Sequence, residues 1–392
     1  MTSPCRRRGT LIVANEEDGA CNNDTSAWIL HKHLGEKANY GKIGRQGYDD
    51  MCDSFQVNSR TARTISVTYQ PSGLNTLFVA PAAVFGNVHA KSVISMDVAD
   101  GGLGVSVCID NKLHVWESSR GEVRRRLEGH LFDAYSCRLF PSGTVVLSAG
   151  GDMQLRIWDV ASGACPVILK GHTAAILDTA IVERGKNIIS VSRDGTARLW
   201  NCGTAECISV VFSCDSPINN CDITHVGHEV PLPNPQDQSG SIRIGTKYQI
   251  IILLCRCGLI NLITCGAKEF VISSFIGSVK ELCIGGVQDD ISLGSISFGG
   301  TLADVHSRTT SPFVHSSASD VQCLFRFNQG FLVGRRDGLC QYYTLDGTNP
   351  CQLTGSDCDP IYSCASDNTH VYTASRDGKI RKYNIRDMQL MA

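Results

Sequence analysis

Residues 129–159, GHLFDAYSCRLFPSGTVVLSAGGDMQLRIWD, and their echo at 171–201, GHTAAILDTAIVERGKNIISVSRDGTARLWN, decide how this chain folds. In the first copy His130, Ser148, Asp152 and Trp158 stand at intervals of 18, 4 and 6 residues. In the second, His172, Ser190, Asp194 and Trp200 repeat all three intervals. An offset of 42 residues between copies marks a chain assembled from stacked units, each too small to bury a core alone. Short apolar runs of strand composition lie between the markers, at 144–147, 155–157, 187–189 and 196–199. Turn clusters bound them at 141–143 and 193–195, and no stretch of ten or more residues there has a helical period.

Working outward, an earlier copy carries His89, Ser106, Asp110 and Trp116, with its first interval one residue shorter. Downstream the copies are worn. A fourth unit begins near 214–218 and has strands at 248–254 and 259–263, with a Pro-rich excursion at 226–246. A fifth, at 279–305, shows strands at 291–293 and 301–304. The turn Arg193-Asp194-Gly195 then recurs as Arg336-Asp337-Gly338 and Arg376-Asp377-Gly378, with Tyr343 and Tyr383 at the Trp position.

This pattern resembles WD-repeat β-propellers, in which each repeat makes one four-stranded blade. From His89 to Ala392 there are 304 residues, a little over seven periods, so the expected fold is all-β, a seven-bladed propeller at 76–392. The last repeat reaches only its third strand near Tyr383. The apolar run 76–80 is therefore expected to supply its outer strand and close the ring, leaving no sheet edge bare. Residues 1–75 lack the repeat and read as a small β-leaning N-terminal domain with a disordered start.

In such propellers the His, Ser and Asp form a hydrogen-bonded chain to the indole N–H of the Trp. Here that assigns structural staples to His89, Ser106, Asp110 and Trp116; to His130, Ser148, Asp152 and Trp158; and to His172, Ser190, Asp194 and Trp200. A buried indole needs such a partner, so these groups are blade fasteners rather than catalytic residues.

Composition narrows the function classes. A net charge of −2 is not the footprint of a nucleic-acid binder, and no apolar run of 18 residues offers a membrane span. The N-terminus, with Arg6-Arg7-Arg8 and then Glu16-Glu17-Asp18, does not read as a secretory signal. The 19 cysteines are then expected to be reduced and packed as small hydrophobes in the cytoplasm, and also the nucleus. Cys255-Arg256-Cys257 is the nearest approach to a metal-ligand pair, and no C-x-x-C exists, so no metal is expected. No P-loop, H-E-x-x-H or G-x-S-x-G occurs, and His225 and His228 have no third ligand nearby. The expectation is a non-enzymatic, cofactor-free monomer.

The surface expected to act is the rim where chain enters each first strand, together with the turn between second and third strands. Asp133, Asp215, Asp320, Asp357 and Asp359 recur at those entries, and Arg193, Arg336 and Arg376 at the turns. In a closed ring all converge on one face, giving a mixed but Asp-rich surface suited to a basic partner. The alternative role for each Asp is turn formation through its own backbone hydrogen bonds.

A closer resemblance rests on longer strings: GGLGVS at 101–106, RRRLEGHLFDAYSCRLFPSGTVVLS at 124–148, the second copy to Gly203, LTGSDCDPIY at 353–362 and ASRDGKIRKYN at 374–384. They are similar to the proteasomal ATPase-associated factors. That resemblance implies an assembly chaperone of the proteasome regulatory particle. Members bind the C-terminal domain of an ATPase subunit and keep immature base complexes from the core particle. A yeast relative meets basic residues of the ATPase with its acidic top face. The resemblance places that role on Asp133, Asp357 and Asp359, then on Asp215 and Asp320. Rival readings are a substrate receptor of a cullin-type ubiquitin ligase and a general WD-repeat scaffold. The first wants Arg three residues after the blade Trp, where this chain has Ser119, Ala161 and Gly203.

Overall fold

The computed structural model describes residues 10–15, 27–32, 37–43, 54–182, 184–225, 249–255, 259–264, 270–273, 282–284, 295–298, 301–304, 309–312, 321–328, 330–344, 351–356 and 358–388. Their strands form one three-stranded sheet, six four-stranded sheets and one seven-stranded sheet. Val93–Val98 and its three successors make the first four-stranded sheet of the repeat region. Ala134–Leu139, Ile176–Val182, Ile218–His225, Leu282–Ile284 and Ile361–Ser366 each begin another, and Val321–Phe327 begins the seven-stranded sheet. These first strands neighbour one another in that order, and Ile361–Ser366 lies beside Val93–Val98. The sheets therefore close into a ring, a β-propeller, with the first strands innermost.

Burial follows from this stacking. The second strands Asn187–Ser192 and Gly330–Arg335 are buried at every residue, and Leu103–Cys108, Val145–Gly150 and His370–Ser375 at every residue but the first, because a neighbouring blade covers each face. That is why their sequences run apolar without alternation. The outer strand Glu206–Ser213 has no buried residue. The cysteines fill gaps in the core: Cys137, Cys221, Cys340 and Cys351 are buried free thiols, and Cys323 Sγ lies 3.5 Å from Cys364 Sγ on the adjoining inner strand.

Inner strands are also stitched across blades. Ser95 Oγ accepts the Cys137 N–H at 3.2 Å, Ser363 Oγ accepts the Met96 N–H at 3.1 Å, and Asp97 Oδ2 accepts the Leu139 N–H at 2.8 Å. In the same way Asp178 Oδ2 accepts the Cys221 N–H at 3.2 Å. A side chain from one inner strand thus satisfies a backbone donor the next strand leaves open toward the channel.

Closure differs from the sequence expectation. The outer strand of the last blade is Ala83–Phe85, antiparallel to Ile380–Asn384, and not residues 76–80. Residues 76–79 belong instead to Leu74–Val79, which runs parallel to Cys351–Leu353 one blade earlier. A boundary at residue 75 falls inside that strand. The cause is the hairpin that precedes it. Thr64–Tyr69 pairs with Leu74–Val79, and Phe55–Arg60 with Thr64–Tyr69, adding three strands to that blade's outer edge. After Pro81 the Ala82 N–H bonds to Lys382 O at 2.7 Å, and the chain passes to the last blade. Both terminal blades are therefore fastened by the start of the chain. Tyr383 Oη donates to Thr354 O at 2.7 Å between them.

The strands expected in the worn region are present as Gln249–Cys255, Leu259–Thr264 and Thr301–Asp304. The excursion at 226–246 and the strand expected at 291–293 lie outside the described residues. The N-terminal strands Thr10–Asn15, Ala27–Lys32 and Asn39–Ile43 form the three-stranded antiparallel sheet. No described helix is long and apolar enough to cross a membrane.

Candidate functional site: the face of the strand-entry loops

Two of the three staples form in full. Trp158 Nε1 donates to Ser148 Oγ at 2.8 Å, Ser148 meets His130 Nε2 at 2.7 Å, and His130 Nδ1 meets Asp152 Oδ2 at 2.8 Å. The copy at Trp200, Ser190, His172 and Asp194 has distances of 2.8, 2.7 and 2.7 Å. An ionised Asp only accepts, so Nδ1 carries the imidazole proton and Nε2 accepts from the Ser hydroxyl. Burial pushes the Asp194 carboxyl upward. The hydrogen bonds from Thr196, His172 and the Thr173 N–H outweigh it and hold it down at about 2.

The first staple is incomplete, which corrects the expectation for Asp110. His89 Nε2 meets Ser106 Oγ at 2.7 Å and Trp116 Nε1 donates to it at 3.0 Å, but Asp110 turns to Lys112 at 2.9 Å. His89 Nδ1 is left buried without a hydrogen bond. His114 stacks on the His89 ring, centroids 4.6 Å apart, where the other two repeats place Arg156 and Arg198. Burial, then the neighbouring His114 charge, drives His89 down to about 3. The two Tyr repeats solve the same problem differently. In the last, buried Arg381 bonds Asp377 Oδ2 and Ser375 Oγ, both at 2.6 Å.

Backbone bonds bring the strand-entry loops and the second-to-third-strand turns to one end of the ring. Gly151 N bonds Asp133 O at 2.7 Å, Arg193 N bonds Ala175 O at 2.9 Å, and Arg376 N bonds Pro360 O at 3.0 Å. Asp133, Asp215, Asp359, Arg193, Arg336 and Arg376 consequently lie at this end; Asp320 and Asp357 lie outside the described residues. Their states differ. Asp133 is exposed and makes no side-chain hydrogen bond or ion pair among the described residues. Asp359 is held by Arg376 Nε at 2.9 Å, and the Arg193 guanidinium sits 5.9 Å from the Tyr135 ring centre. Three carboxylates and three guanidinium groups make this a mixed face with local rather than uniform charge.

Among the described residues, a cavity of about 280 Å³ lies between the inner strands and is lined by Asp97, Arg138, Asp178 and Asp222 among others. Arg138 Nη2 lies 3.4 Å from Asp178 Oδ1, and burial raises the Asp97 carboxyl. With backbone donors already on Asp97 and Asp178, these carboxylates hold blades together.

Sequence reasoning missed an apolar cluster on the same face. Leu131 and Phe132 are 76% and 63% exposed beside Asp133, and Ile109 and Met153, on the adjoining turns, are 55% and 40% exposed. The signal was present in the repeat alignment, for Leu131-Phe132 follows Gly-His where the next copy has Thr173-Ala174.

The ring, the Trp-anchored staples and the loop-bearing face define a WD-repeat β-propeller. The family described as "WD domain, G-beta repeat" matches residues 121–159, 163–201 and 347–384. Over nearly its whole length the chain is 38% identical to "Proteasomal ATPase-associated factor 1" of Homo sapiens, covering 99% of this chain and 100% of that one. The Gallus gallus protein of that name is likewise 38% identical, covering 97% of this chain and 99% of the relative. A "Probable proteasomal ATPase-associated factor 1" of Dictyostelium discoideum is 44% identical over 59 residues. The chain belongs to the proteasomal ATPase-associated factor 1 family.

Proposed function

We propose that this chain, read as a seven-bladed ring, is a non-enzymatic chaperone of the proteasome regulatory particle. It binds the C-terminal domain of a proteasomal ATPase subunit through the face of the strand-entry loops and so limits association with the core particle. The mechanism is occlusion. A rigid disc laid over the ATPase tail blocks the docking surface without bond chemistry, a metal or a cofactor.

The observation that carries this reading is near-full-length identity to proteins named for association with the proteasomal ATPases. The geometry supports it with a loop face at one end of a closed ring, where Asp133 offers an unpaired carboxylate to a Lys or Arg of the partner. Among the proposed contacts Asp133 ranks above Asp359, whose charge Arg376 already balances. Asp215, Asp320, Asp357, Arg193 and Arg336 complete the proposed set.

The test is binding of the purified chain to the C-terminal domain of each ATPase subunit, followed by competition with core particle. Binding to one domain and loss of core-particle association support the reading. Binding to none, or capture of assembled core particle together with the ATPases, removes it.

A further inference from the structure

We infer that Ile109, Leu131, Phe132 and Met153 form a preorganised apolar anchor on the loop face, which receives a partner segment bearing an apolar side chain next to a Lys or Arg. This deepens the proposed function and rests on it: it assigns the grip to one off-centre patch, with Asp133 as its charged edge.

Three observations carry the inference. The first is the grouping of exposed apolar side chains. Of the nine exposed large hydrophobics among the described residues, these four share one end of two adjacent blades. Exposed apolar side chains grouped at one end of a folded chain mark interaction sites more often than single ones do.

The second is rigidity. Asn111 reaches from the first-blade turn to the loop, its Nδ2 donating to His130 O and its Oδ1 accepting from the Ala134 N–H, both at 3.1 Å. Asp152, itself fixed by His130, accepts the Leu131 N–H at 3.4 Å. The loop is clamped at both ends while its apolar tips face solvent. Binding such a tip costs little ordering entropy.

The third is backbone strain. Met153 has φ of 61°, in the left-handed region, where three other copies of the turn place Gly195, Gly338 and Gly378 and the first has Asn111 at 62°, a residue type that tolerates this conformation better than methionine does. A non-glycine side chain there costs about 1–2 kcal/mol. The large apolar side chain is thus held at a position the repeat fills more cheaply with glycine, and strain of this kind points to a role beyond folding.

Charge selects the occupant. Asp133 adjoins Phe132 and has no partner among the described residues, whereas nearby Lys112 is engaged by Asp110. A basic group flanking the partner's apolar anchor satisfies Asp133 on docking.

The experiment measures affinity of the full chain for the ATPase C-terminal domain that the proposed function identifies, at low and high salt. Leu131→Ser combined with Phe132→Ser is compared with Asp133→Lys and with a control, Ile168→Ser combined with Val210→Ser, on exposed outer strands. We expect the double tip variant to bind about thirtyfold or more weakly at both salt concentrations. Asp133→Lys is expected to weaken binding chiefly at low salt, and the control to change it less than twofold. Thermal midpoints within a degree or two of the parent show that all variants fold. Tip variants that bind like the parent overturn the anchor and leave the proposed function standing. If the parent binds no ATPase domain, the proposed function fails first and the anchor with it.

Discussion

At the residue scale, His89 shows how one broken contact changes the behaviour of a repeated motif. Its sisters His130 and His172 each have a carboxylate on Nδ1, whereas Lys112 draws Asp110 away and leaves His89 neutral and buried. The folded state resists protonation of His89 down to about 3, while an unfolded chain takes that proton near 6.5. Unfolding is therefore favoured as pH falls between those values, by up to about 1.4 kcal/mol per pH unit for one group. Denaturant titrations of the parent and of His89→Gln across pH 7 to 5 should show a shallower loss of stability in the variant. Equal slopes would remove His89 as a source. Removing a staple hydroxyl has a different signature. Ser148→Ala strands the Trp158 N–H and the His130 ring, and should cost about 1–3 kcal/mol in urea unfolding without a new pH slope. Met153→Gly should move stability the other way, by about 1 kcal/mol, because it relieves a left-handed backbone. If it raises the thermal midpoint while weakening partner binding, the strain and the anchor are the same feature.

Elements are where the sequence misled. The run at 76–80 is the stronger apolar signal, but its register with Thr64–Tyr69 commits it to the blade of Cys351–Leu353. The weaker Ala83–Phe85 closes the ring instead. Two truncations separate these roles. A chain starting at residue 81 keeps the closing strand and should remain a folded ring, with its Cys351–Leu353 edge bare and a raised tendency to self-associate. A chain starting at residue 87 also loses Ala83–Phe85 and should unfold at distinctly lower temperature, since Phe85 packs in a core with Trp116, Tyr372 and Ile380. Similar midpoints for the two truncations would contradict this division, and calorimetry with light scattering reads both outcomes.

For the molecule as a whole, the loop face joins a strained apolar tip, the carboxylates of Asp133 and Asp215, which have no partner among the described residues, and several arginines on a rigid ring. Charge reversal tests which of these matter. Asp133→Lys should lower affinity for the ATPase domain about tenfold and flatten its salt dependence. Asp359→Lys should change affinity less, because the lost charge was already balanced by Arg376. Surface plasmon resonance at two salt concentrations measures both. An equal loss for the two variants would return Asp359 to the centre of the site.

The repeat spacing of 18, 4 and 6 residues was enough to identify the blade, since a buried indole, an imidazole and a carboxylate meet only when the intervals match the strand lengths. The same periodicity placed the entry loops on a common face, because every blade presents its loops in the same way. Three things required the folded chain: which N-terminal strand closed the ring, whether Asp110 reached His89, and which rim charges were already spent. Each depends on a competition between partners distant in sequence, Lys382 against Cys351 for a strand edge or Lys112 against His89 for a carboxylate. A linear pattern records the competitors without saying which is nearer.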